Sequence, residues 1–94
     1  MLYMVTARFK PGMEAQHEAL SVEFGEHMRQ PLLHIRLLGG LLDDAGARAG
    51  VLLMMEADDR SQVDHFLEGS PYKEAGLYRD VEIDSLQIEA GGLK

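Results

Sequence analysis

The residues able to do chemistry in this chain are four histidines and a serine set in an unusual turn. His17 and His27 fall on the apolar stripe of one helical segment, within about 80° of each other at 100° per residue. A histidine on such a stripe is more often a core residue with a satisfied hydrogen bond than a catalyst. Either one could still act as an acid-base near neutral pH. His34 and Arg36 alternate on one face of a strand, where Arg36 could contact an anionic substrate or oxyanion. Arginine is also enriched at protein interfaces, and a polar network in a dimer interface is the favoured reading. His65 lies off its helix stripe and reads as a solvated residue. Metal binding has little support: no His-x-x-x-His spacing occurs, and His17 and His27 stand nearly three turns apart. No glycine-rich nucleotide fingerprint follows a strand, so neither metal nor cofactor is expected.

Ser70 stands in the stretch FLEGSPYKEAGLY, residues 66–78. Gly69 is a helix stop, and Ser70-Pro71 is a helix start, a hydroxyl N-cap followed by proline at N1. Gly76 closes a single turn, after which the chain enters its last strand.

The elements that position these residues follow from periodicity. Residues 1–10 alternate, with Tyr3, Val5, Ala7 and Phe9 opposed to Leu2, Met4 and Thr6, until Pro11-Gly12 ends the strand. Residues 13–29 take a helical period with Met13, Leu20, Phe24 and Met28 on one stripe, and Pro31 ends the helix. A second strand covers residues 32–38, setting Leu33, Ile35 and Leu37 against His34 and Arg36. A glycine-rich hairpin connection follows over residues 39–50. The third strand, residues 51–57, is apolar on both faces. Asp59 and Gln62 make a capping box for a helix that buries Val63, Phe66 and Leu67. The last strand spans about residues 80–88, with a bulge expected near Asp84-Ser85, and residues 90–94 form a tail.

The order βαββαβ is the ferredoxin-like arrangement, an α+β fold in which a four-stranded antiparallel sheet carries helices on one face. At 94 residues the chain is one domain with a modest core. Leu2, Met4, Leu52 and Met54 would leave a large apolar patch on the open face, so a homodimer joined through that face is expected. A net charge of −7 and the lack of a basic stripe argue against a nucleic-acid partner. No apolar run approaches a membrane span, and no cysteine is present. A soluble cytoplasmic protein is the default expectation.

The signature Ser70-Pro71-Tyr72 followed by Ala75-Gly76-Leu77 resembles that of the YCII-related proteins, whose pattern is Asp-Pro-Tyr/Phe, then Ala-Gly-Leu/Val and a last strand. The resemblance extends from the MLY start through the second helix, and it implies a dimeric α+β barrel. The opening MLYMVT is also similar to the start of muconolactone isomerases, which share that architecture. The resemblance further implies a histidine on the first helix paired with the signature aspartate, here Ser70. His27 matches that histidine by its distance from the N-terminus, and His17 stays open because the spacing downstream is shorter than usual. The implied function is proton transfer on a small cyclic or enol-type metabolite, in an isomerase or lyase manner. His27 would be the acid-base and Ser70 its orienter, with Arg36, Tyr72 and His17 in reach of substrate. Serine orients an imidazole weakly and hardly stabilises imidazolium. Glu68 or Glu74 could therefore substitute, Ser70 could donate to a ligand, or Ser70 could serve only as a cap. The alternative is a catalytically silent small-ligand-binding or interaction module.

Overall fold

The computed structural model describes residues 1–30 and 34–92. Pro31, Leu32, Leu33 and the last two residues of the expected tail lie outside the described residues. The elements run β1 (Leu2–Phe9), α1 (Glu14–Ala19), α2 (Ser21–Met28), β2 (His34–Leu42), β3 (Arg48–Glu56), α3 (Arg60–Glu68), α4 (Pro71–Glu74) and β4 (Tyr78–Ser85). The strands form one antiparallel sheet in the order β2-β3-β1-β4, which is the ferredoxin-like topology.

Alternation builds the core. Tyr3, Val5, Ala7 and Phe9 of β1 and Val51, Leu53 and Met55 of β3 turn to the helices and are buried. Phe24 and Met28 of α2 and Val63, Phe66 and Leu67 of α3 close over them. Each Val, Leu, Met and Phe among them contributes about 1.5–3 kcal/mol by leaving water. The two central strands approach closely: a Cβ at Gly50 would run into the carbonyl oxygen of Ala7, so β3 can lie against β1 only with glycine there.

Several boundaries differ from the periodic reading. The first helix is interrupted at Leu20, which separates α1 from α2, although Phe24 N–H still donates to Leu20 O at 2.9 Å. The expected glycine-rich loop shrinks to residues 43–47, because Gly39, Gly40 and Gly50 are strand residues. In β2 the register slips between Ile35 and Leu37, so Arg36 is the extra residue and Leu37 pairs with Met54 instead of following Ile35 inward. The irregularity of the last strand falls at Arg79, where the pairing of Arg8 with Asp80 gives way to Phe9 with Tyr78. No register shift occurs near Asp84-Ser85; β4 ends at Ser85, and Leu86 N–H donates to Leu2 O at 2.9 Å.

Candidate active site

The turn after α3 determines the chemistry at its end. Asp59 caps α3 by accepting from Gln62 N–H at 3.1 Å, and the Gln62 side-chain oxygen accepts from Asp58 N–H at 2.8 Å. The expected capping box is therefore present but reaches back one residue further. The Ser61 hydroxyl donates to Asp59 Oδ1 at 2.6 Å, and this bond, with the Gln62 N–H, holds the Asp59 carboxyl below its usual range. At the other end Gly69 caps the helix and Pro71 starts α4. An unbroken helix would send the Ser70 N–H to Phe66 O; here it goes to Leu67 O at 3.0 Å. The Phe66 carbonyl is thereby freed.

His27, in the last turn of α2, takes that carbonyl. Its Nε2 lies 2.7 Å from Phe66 O, and its ring stacks on the Phe66 ring with centroids 4.4 Å apart. A carbonyl oxygen only accepts, so Nε2 carries the proton. Gln30 Nε2 stands 2.7 Å from His27 Nδ1, and with the amide nitrogen donating, Nδ1 is the lone-pair nitrogen. Gly69 allows this packing, since a Cβ there would come within 3.3 Å of His27 Cε1. His27 and Gln30 form one wall of a pocket of about 640 Å³; Ser61, Gln62, His65, Phe66 and Gly69 form the other. His65 is exposed, as its place off the stripe implies, yet it lines this pocket.

Ser70 makes no hydrogen bond to His27. It is fully buried at the N-cap position of α4, and its Oγ neither caps the helix nor finds any hydrogen-bond partner. The expected side-chain cap is absent; Pro71 at N1 and a tight C-terminal turn shape α4 instead. In that turn Gly76, at φ +70°, sends its N–H to Lys73 O and lets Leu77 N–H reach Tyr72 O, both at 3.0 Å. Burial pushes the Tyr78 phenol well above its usual range. The neighbouring Ser70 side chain draws it back slightly, without the two closing a hydrogen bond of good geometry. Glu68 and Glu74 are exposed, and the His27 ring nitrogens bond Phe66 and Gln30 rather than either carboxylate.

The other sequence candidates sit apart from the pocket. Tyr72 is buried, stacks on Phe24 at 4.1 Å, and donates its hydroxyl to the His17 carbonyl oxygen at 3.2 Å. Burial raises its phenol above the ordinary value. The His17 ring stacks on Phe9 at 4.5 Å, so its visible role is to fasten α1 to the sheet. Arg36 Nη1 rests on Glu56 Oε1 at 2.6 Å, on the sheet face opposite the helices. Gln30 and the Phe66 carbonyl escaped the sequence reading. The i, i+3 spacing of His27 and Gln30 could have pointed to the first, since the closing turn in which Gln30 N–H reaches His27 O at 3.3 Å keeps the two residues adjacent.

Among the described residues, no group of His, Asp or Glu is placed to hold a metal ion, and no helix is long and apolar enough to cross a membrane. No curated protein matches the chain. Among solved structures, the chain is similar to 5-chloro-2-hydroxyhydroquinone dehydrochlorinase from Burkholderia phenoliruptrix, solved in complex with 2,5-dihydroxybenzoquinone. The two share 22% identity over 93% of this chain and 94% of that one, with a TM-score of 0.84. At that identity the likeness shows the fold. The YCII-related domain model matches residues 1–87, and the chain belongs to the YCII-related family.

Proposed function

We propose that this protein is a small-molecule enzyme of the isomerase or lyase kind, with His27 as its acid-base. The observation that carries this reading is the His27 ring, held in one tautomer by Phe66 O at 2.7 Å, at the wall of a pocket of about 640 Å³. That volume falls in the usual range for small-ligand sites, about 300–1,000 Å³. His27 Nδ1 would remove a proton from a hydroxyl or an acidic carbon of a ring substrate. Where the ring bears a halide, the halide departs with its bonding pair, the net loss is HX, and no oxidant is required. The structurally similar dehydrochlorinase, which binds a ring compound, supports this choice of substrate class.

In this reading the Phe66 carbonyl orients the imidazole, the task sequence reasoning assigned to Ser70. Ser70 contributes only its backbone N–H, which turns to Leu67 O and so leaves that carbonyl free. The test is incubation with a chlorinated hydroxyhydroquinone, following chloride release. His27→Gln should reduce turnover by about 10²–10⁴-fold, the usual contribution of a general base. Equal turnover in wild type and variant would overturn the assignment.

A second reading, a silent ligand-binding module, is favoured by one observation. The partner of His27 Nε2 is a carbonyl and not a carboxylate, so it orients the ring but supplies no charge for an imidazolium. Ring ligands that raise the melting temperature without being turned over would select this reading.

The open sheet face also supports a homodimer. Leu2, Met4, Leu52 and Met54 line it, half-buried and with no helix above them among the described residues, and Leu37 joins them through the β2 bulge. A second copy of the same face would cover this surface, with the Arg36–Glu56 pair in its polar network.

A further inference from the structure

We infer that Gln30 gates the His27 base. The inference rests on the reading of His27 as a proton acceptor. A neutral imidazole offers one ring lone pair, and with Nε2–H spent on Phe66 O, that lone pair is at Nδ1. Gln30 Nε2 occupies it at 2.7 Å. No proton can reach Nδ1 until the amide leaves. Once the ring is protonated, the same side chain turned over presents Oε1 to Nδ1–H. One neutral residue thus meets both charge states of the ring, donating to the first and accepting from the second. It protects the base while the pocket is empty, and a ligand hydroxyl must displace it to be activated. Both Gln30 and His27 are partly buried, so the contact is neither a surface accident nor sealed from ligand.

The charged neighbours do not provide an alternative partner. On α2 and at its C-cap, Glu23, Glu26 and Arg29 are exposed and do not line the pocket, and the same holds for Asp64 and Glu68 on α3. His65 of α3 is the other titratable residue of the pocket wall. It serves as an internal reference.

The test is carbethoxylation by diethyl pyrocarbonate at fixed pH, with rates at His27 and His65 resolved by mass spectrometry. The reagent attacks an unprotonated ring nitrogen. Gln30→Leu keeps most of the bulk and removes the hydrogen bond. It should raise the His27/His65 rate ratio by about two- to tenfold, the protection one ordinary hydrogen bond confers. Gln30→Glu places an acceptor-only carboxylate at Nδ1, which favours a proton there, and should lower the ratio below wild type. The opposite signs separate a gate from simple shielding, since both side chains have similar size. A ratio unchanged by Gln30→Leu, or raised by both variants, overturns the gate. No turnover is needed. Absence of activity on ring substrates would count against the enzyme and leave this result standing, and an unchanged ratio would do the reverse.

Discussion

His27 Nε2 donates to the backbone carbonyl of Phe66 across 2.7 Å, joining the end of α2 to the last turn of α3. The bond exists because Gly69-Ser70-Pro71 breaks the helix and diverts the Ser70 N–H to Leu67 O. The neutral ring should therefore be the Nε2–H tautomer. Long-range proton–nitrogen NMR of labelled histidine should show the bonded proton on Nε2 and a lone-pair shift at Nδ1. The reverse pattern would mean that the ring is turned over.

Ser70 has a buried hydroxyl with no partner. A true side-chain cap would cost about 0.5–2 kcal/mol on replacement by alanine. Here Ser70→Ala should instead be neutral or stabilising by up to about 1 kcal/mol, since an unsatisfied buried group is removed. Ser70→Asp should destabilise by about 3 kcal/mol or more, because a carboxylate would be buried with no cation and only the Tyr78 phenol beside it. Urea unfolding of both variants checks this, and a stable Ser70→Asp protein would mean that the site opens to water.

Tyr78 has its phenol raised well above its ordinary value, chiefly by burial. A raised acid binds its proton more tightly in the folded state, so its contribution is intact below pH about 10 and is lost as pH climbs through the folded value. Stability should fall above pH 10 by at most about 1.4 kcal/mol per pH unit for this residue. Tyr78→Phe should flatten that limb, leaving the weaker contribution of Tyr72, whose phenol is raised in the same direction. An alkaline profile identical in wild type and Tyr78→Phe would contradict the burial argument.

Met54 pairs with Met4 and Leu37 on the open sheet face. Met54→Glu should dissociate a dimer built there, because the carboxylate would be buried at the joint without a partner. Light scattering at micromolar concentration reads the mass directly. A wild-type monomer would sink the dimer.

Much of the fold was legible because alternation and helical period report burial directly. Val5, Leu53 and Phe24 lie where their spacing puts them. What escaped were events that depend on a neighbouring strand or on a backbone group. The slip at Arg36 arises in pairing with β3, and no property of β2 alone announces it. The site was half legible. His27 was visible as a histidine on a stripe, but its partner is a main-chain oxygen, which any residue at position 66 would supply. Ser70 drew the eye as a hydroxyl before proline, a pattern that fits a cap equally well whether or not the side chain turns toward the helix.

The most direct measurement of the central claim is turnover of an enol-type ring substrate by wild type, His27→Gln and Ser70→Ala under identical conditions. If His27 moves the proton and Phe66 O orients it, His27→Gln should lose at least about 10²-fold in kcat while Ser70→Ala stays within a few-fold of wild type. Retained activity in His27→Gln together with its loss in Ser70→Ala would contradict the account and move the chemistry to the buried serine.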